Sequence, residues 1–209
     1  MGIKAVKFGG TSLSHAEQMK KAAEIVRSDK ERRVIAVSAP GKRFSRDDKI
    51  TDLLYRMDQA ETTEKRNEIF SLICGRFDEI IASLKLDLDF SDEYREVLRT
   101  AHGASLISRG EYFCARIFAD LLGFAFVDAR DLFFFDDKGD PDMPRIEGVM
   151  RKYLDRYKRI VIPGFYGVNP DGSVALFPRG GSDITGAIAA AAAELLGGAL
   201  NRVLTPALL

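Results

Sequence analysis

Val34-Ile35-Ala36-Val37-Ser38-Ala39 is an unbroken apolar run of strand length, closed by Pro40-Gly41. A strand with one wet face alternates apolar and polar residues. A continuous run is the pattern of a strand buried on both faces, as in a parallel sheet covered by helices. Upstream, Ile3-Lys4-Ala5-Val6-Lys7-Phe8 alternates apolar and basic residues and reads as a second strand. Ser14-His15-Ala16-Glu17 then has capping-box spacing for a helix ending near Asp29. Downstream, a polar loop at 42–49 leads into a helical pattern over residues 50–123. It falls into three or four amphipathic segments broken near Thr62-Thr63, around 87–91 and near Gly110, with Gly123 as a C-cap.

The rest of the chain alternates in the same way. Residues 124–128 and 160–165 read as buried strands, separated by a short strand and loop at 132–142 and a helix over 145–157. Asn169-Pro170-Asp171-Gly172 predicts a hairpin joining 165–168 to 173–177. A last helix begins near Ser182 and runs through a series of alanines to Leu196, where Gly197-Gly198 stop it. Strands alternating with helices predict an α/β domain on a mostly parallel sheet.

Bulk properties exclude several classes. The 209 residues hold one large or two small domains, and the composition is that of a soluble globular chain. Lys+Arg and Asp+Glu balance at 31 each, which argues against nucleic-acid and membrane surfaces. Cys74 and Cys114 form neither a disulfide framework nor a zinc site, as expected in a reducing compartment. With no signal-peptide pattern and no long apolar stretch, the expected location is the cytoplasm.

In open α/β sheets ligands collect at the carboxyl ends of strands. Lys7-Phe8-Gly9-Gly10-Thr11-Ser12 lies at such an end and combines a cation, bare backbone N–H groups and hydroxyls, the chemistry that polyphosphate needs. Two glycines alone fit a ligand-free tight turn equally well. A lysine at the inner end of a buried strand, however, calls for an anion. A second turn, Arg179-Gly180-Gly181-Ser182-Asp183, puts a guanidinium fork and a helix N-terminus together. Simple capping by Ser182 or Asp183 explains one residue and leaves Arg-Gly-Gly without a role. No P-loop, no Gly-x-Gly-x-x-Gly fingerprint and no His-Glu-x-x-His pair occurs, and His15 and His102 have no companion nucleophile. Asp128, Asp131, Asp136, Asp137, Asp140 and Asp142 read as a solvated loop rather than a metal site, so no metal ligands are assigned.

Taken together these segments resemble the aspartate kinases of the amino-acid kinase superfamily. The likeness rests on 7–12 and 179–183, with Ser38-Ala39, Thr51-Asp52, Gly110-Glu111 and Gly164-Phe165 in order between them, and extends to about Ala193. The resemblance implies a three-layer αβα sandwich and transfer of a phosphoryl group from ATP, with Mg²⁺, to the β-carboxylate of L-aspartate. That reaction opens lysine, threonine and methionine biosynthesis. It implies that Lys7 contacts the transferred group, that Gly9, Gly10 and Thr11 line the phosphates, and that Asp183 organises Lys7. Ser182 falls on the nucleotide side. Ser38, Thr51, Glu111, Phe165 and Arg179 surround aspartate, Glu111 taking its ammonium and Arg179 its α-carboxylate. Partners are then L-aspartate and ATP, without nucleic acid or membrane, and homo-oligomerisation stays open.

The chemistry agrees with this. A β-carboxylate is ionised at pH 7 and needs no general base, so the enzyme has only to hold two anions together and neutralise charge. Arg109 stands where many members have histidine, and Pro178 where a small residue precedes the arginine. The whole chain, 1–209, reads as one domain, the N-terminal, aspartate-binding part of the kinase, with 194–209 as a divergent tail. The family's later nucleotide loops and ACT domains are not recognised, so a truncated domain is expected, with a central strand left at a sheet edge and either marginal stability or completion by a partner. An inactive fragment that keeps the amino-acid half-site is the alternative function. Another amino-acid kinase, such as an acetylglutamate or nucleoside-monophosphate kinase, fits the pairing of Glu111 with Arg179 less well.

Overall fold

Residues 2–178 and 180–197 are described by a computed structural model. Strand β1 (Lys4–Phe8) passes through a 3-10 turn (Gly10–Leu13) into helix α1 (Ala16–Arg27), and β2 (Arg32–Val37) follows. Five helices come next: α2 (Ile50–Asp58), α3 (Thr63–Leu84), α4 (Ser91–Thr100), α5 (Gly103–Ile107) and α6 (Arg109–Leu122). Then come β3 (Ala125–Phe126), α7 (Met143–Tyr157), β4 (Ile160–Pro163), a hairpin of β5 (Tyr166–Val168) and β6 (Val174–Leu176), and α8 (Gly181–Gly197).

The main sheet has the order β1-β2-β4-β3 with every neighbour parallel, while β5 and β6 pair antiparallel. Successive side chains of a strand point to opposite faces, and here both faces are apolar. Val6, Phe8, Ile35, Val37 and Val161 join a core with α1 to α6. Ile3, Ala5, Val34, Ala36, Ile160 and Ile162 join a second core with α7, α8 and Phe133, Phe134 and Phe135. This is the three-layer sandwich expected. Lys7 has the parity of Ala5, so it is directed to the α8 side from the buried carboxyl end of β1.

Several local expectations need correction. The Ser14 capping box does not form: Ser14 has helical backbone angles, the cap position falls on His15, and no side chain caps α1. The Ser14 hydroxyl bonds His15 Nδ1 instead, at 2.8 Å. The helical break expected near Gly110 falls at Ser108, between α5 and α6, a further break at Ala101-His102 was not expected, and Gly110 sits in the first turn of α6. It is glycine for packing, since a Cβ there would meet Ala39 Cβ at 2.9 Å and Leu54 Cδ1 at 3.0 Å. Residues 132–142 form no strand, only isolated bridges from Phe134 to Val168 and Phe135 to Pro141.

Others stand as read. Gly123 closes α6 in the left-handed conformation, and the 169–172 turn joins a hairpin. The acidic loop serves the backbone: Asp128 caps a 3-10 turn and accepts the Tyr166 hydroxyl, and Asp142 caps α7. Among the described residues β1 pairs only with β2 and β3 only with β4, and Ala5 to Phe8 are buried. Helix α8 continues through Glu194 to Gly197; Gly198 and the remainder of the tail lie outside the described residues. No described helix is long and apolar enough to cross a membrane.

Candidate active site

Phe8, Val37 and Pro163 are partners across three parallel strands, so the chain leaves all three at one edge of the sheet. Ser38 N–H donates to the Phe8 carbonyl at 3.1 Å and Gly164 N–H to the Val37 carbonyl at 2.8 Å, which ties the departing segments together. The first turn of α8 arrives at the same edge and closes a cleft of about 790 Å³. Lys7, Gly10, Thr11, Ser38, Thr51, Glu111, Phe165, Ser182 and Asp183 all line it. Gly9 stands just behind, where a Cβ would lie 3.6 Å from Lys7 Nζ. Arg179 lies outside the described residues.

Lys7 Nζ contacts Asp183 Oδ1 at 2.8 Å. The pair is lopsided: the lysine side chain is 8% exposed and the aspartate 67%. Lys7 therefore has little access to water, and Asp183 is free to give it up to an incoming anion. Ser182 and Asp183 lie inside the first turn of α8, so neither acts as its N-cap. Glycine at 180 takes φ +87°, and its carbonyl accepts from Asp183 N–H at 2.7 Å.

Glu111, in the first turn of α6, is 3% exposed, and its Oε2 has no hydrogen-bond partner. Burial pushes its carboxyl up to about 8, against the opposing pull of the Ala39 backbone and the Lys7 charge. A buried carboxyl with an idle oxygen beside a cleft is suited to a cationic ligand group. In the free protein this carries a stability signature. The folded state holds the proton more tightly than the unfolded chain, so the contribution is fully present below the unfolded value near 4.5 and is lost as pH rises through about 8. Glu111→Gln should flatten the fall in urea midpoint between about pH 5 and pH 8 relative to the parent. Parallel curves for the two proteins rule this out.

Phe165 combines a bulky side chain with φ +76°, a strained conformation for a residue carrying a Cβ. Its N–H donates to Thr185 Oγ1 at 3.0 Å, and its carbonyl accepts from Phe177 N–H at 2.8 Å. The Thr185 hydroxyl donates in turn to the Gly181 carbonyl at 2.8 Å. One buried threonine thus fixes the Phe165 loop to the turn of α8 that carries Ser182 and Asp183.

Sequence reasoning missed part of the wall. Lys42, Lys49, Asp52 and Tyr55 also line the cleft, adding two cations to Lys7. For Lys42 and Lys49 the available signal was their place in the polar loop that follows the buried run closed by Pro40-Gly41. Among the described residues no group of three or more His, Cys, Asp or Glu is placed to hold a metal.

Residues 2–197 match the model of the amino acid kinase family. Aspartokinase 3 of Bacillus subtilis is 32% identical over 207 residues, covering 90% of this chain and 46% of its own length. An aspartokinase of Chlamydia pneumoniae is 26% identical, covering 88% and 43% respectively. The crystal structure of Clostridium acetobutylicum aspartate kinase superposes with a TM-score of 0.86 at 37% identity over 93% of this chain and 46% of that one. Aspartokinase III of E. coli, at 24% identity and a TM-score of 0.76, shares the fold. The chain spans less than half the length of these relatives.

Proposed function

We propose that this chain, which belongs to the amino acid kinase family, is the aspartate-binding part of an aspartate kinase that transfers the γ-phosphoryl group of ATP to the β-carboxylate of L-aspartate. The observation that carries this reading is the meeting of Lys7 and Glu111 in one cleft. A phosphoryl donor needs a desolvated cation, and an amino-acid acceptor needs a buried carboxyl that gives up its proton when the ammonium arrives. The likeness to aspartate kinases over nine-tenths of the chain supports it.

In this reading the β-carboxylate oxygen attacks the γ-phosphorus, the bond from phosphorus to the bridging oxygen breaks, and ADP leaves with that electron pair. The products are 4-phospho-L-aspartate and ADP, the opening step of lysine, threonine and methionine biosynthesis. The acceptor is already ionised, so no general base is required. The work is to bring two anions together and offset the charge on the transferring group. Lys7 does this from the end of β1, with the N–H groups of the Gly10–Leu13 turn and the N-terminus of α8 beside it. Glu111 takes the ammonium, Ser38, Thr51 and Phe165 enclose the amino acid, and Arg179 takes its α-carboxylate. Mg²⁺ would enter with the nucleotide, held mainly through its phosphates, and would offset their charge beside Lys7.

The test is hydroxylamine trapping of the acyl phosphate with ATP, Mg²⁺ and L-aspartate. Ferric hydroxamate should form with L-aspartate and not with N-acetylglutamate. Titration showing aspartate binding without turnover points to a half-site without catalysis. Absence of aspartate binding overturns the reading.

A further inference from the structure

Arg76 lies in the middle of α3 and is 5% exposed, yet it does not line the cleft. One guanidinium nitrogen donates to Asp47 Oδ2 at 2.8 Å and to the Asp48 carbonyl at 3.2 Å. The other donates to the Ser14 carbonyl at 3.2 Å and the Gly41 carbonyl at 3.0 Å. Asp47 is also gripped by Arg43, through backbone N–H at 2.9 Å, Nε at 2.9 Å and a terminal nitrogen at 3.1 Å. These bonds hold the Asp47 carboxyl well below the usual carboxylate range.

The acceptors belong to two segments that meet at the cleft. Ser14 closes the turn that follows β1, and Gly41, Asp47 and Asp48 belong to the loop that follows β2. Gly41 is gripped from both sides, since its N–H donates to the Gly10 carbonyl at 2.8 Å while its carbonyl accepts from Arg76. The same loop delivers Lys42, Lys49 and Thr51 to the cleft wall. A buried charge is tolerated only with a full set of partners. Here both terminal nitrogens are satisfied, by the Asp47 carboxylate and three carbonyls of the site's two loops, while Nε has no partner.

We infer that Arg76 is a positioning residue: its planar fork fixes the Gly10–Leu13 turn against the 41–48 loop and so sets the geometry of the phosphate end of the cleft. The inference rests on the aspartate kinase reading for its ligands, and on the bonds above for its mechanics. Lysine at position 76 keeps a charge but replaces two terminal nitrogens with one, so it cannot hold Asp47 and the Asp48 carbonyl together with the Ser14 and Gly41 carbonyls.

The experiment compares the parent chain with Arg76→Lys and Asp47→Asn. It measures amide exchange at Gly41, titration with ATP in the presence of Mg²⁺, and titration with L-aspartate alone. Exchange at Gly41 should accelerate about tenfold in both variants. Affinity for ATP should weaken about tenfold and affinity for aspartate by no more than about threefold, because Thr51 moves with the loop whereas Glu111 and Phe165 stand on other elements. General destabilisation weakens both ligands alike, and that result overturns the positioning role. Exchange at Gly41 unchanged in Arg76→Lys overturns it as well. If the parent binds neither ligand, the functional reading fails, and exchange at Gly41 still decides the clamp.

Discussion

Lys7→Met is expected to lower turnover by about a thousand-fold, the range seen when one preorganised donor to a transferring group is removed. Stability should change by less than about 1 kcal/mol. The two halves of this expectation come from the same lopsided ion pair. Methionine fills the lysine's volume with apolar atoms, so the buried stem keeps its packing. The partner it abandons, Asp183, is 67% exposed and is solvated without it. Asp183→Asn does the reverse, leaving a cation that is 8% exposed without its counter-charge. That variant should be the less stable of the two, by about 1 kcal/mol after allowing for the pair's open side. Hydroxamate formation and urea midpoints on the same preparations check both statements. A Lys7→Met protein that retains more than about a tenth of parental turnover removes Lys7 from the chemistry.

The layers were legible because hydrophobic patterning is a direct record of burial. The unbroken run at 34–37 is buried on both faces, alternate side chains going to the two cores, as a central parallel strand requires. Element ends were less legible because they depend on partners far away in sequence. Residues 124–128 carry a strand's composition, but only Ala125 and Phe126 find ladder partners beside β4. Ser14 has the right side chain for a cap, but the 3-10 turn after β1 brings it in with helical angles and commits its carbonyl to Arg76. No local pattern records a bond spanning that distance along the chain.

The site divided along the same line. Lys7 stood out because a charge at the inner end of a buried strand breaks an apolar pattern, whereas Glu111 was assigned only through the resemblance to aspartate kinases. Residues that act by holding others were invisible. Thr185 reads as one hydroxyl in an alanine-rich helix, and Arg76 as one charge on an amphipathic face, until the loops that each supports are folded back over it.

Gly10→Ala should damage both stability and activity, whereas Gly9→Ala should be close to neutral. The sequence motif assigns these neighbours one task, bare backbone near phosphate, but their surroundings differ. A Cβ on Gly10 would lie 2.7 Å from the Ala39 carbonyl oxygen and 3.1 Å from Gly41 N, both backbone atoms that cannot rotate aside. The converse holds for Gly41, whose Cβ would meet the Gly10 carbonyl carbon at 2.8 Å. The two glycines let two backbones touch, and the bond from Gly41 N–H to the Gly10 carbonyl depends on that contact. Separating them costs about 1–3 kcal/mol, as overpacking does. A shift of the turn approaching 1 Å lowers phosphoryl transfer about a hundred-fold. Gly9, with φ −75° and its nearest obstacle the flexible tip of Lys7 at 3.6 Å, accepts a methyl group without strain. Thermal unfolding and hydroxamate assays on the two single variants separate the cases. Equal losses at positions 9 and 10 mean that both glycines serve the ligand, and a loss confined to position 10 means that the cleft is first shaped by backbone meeting backbone.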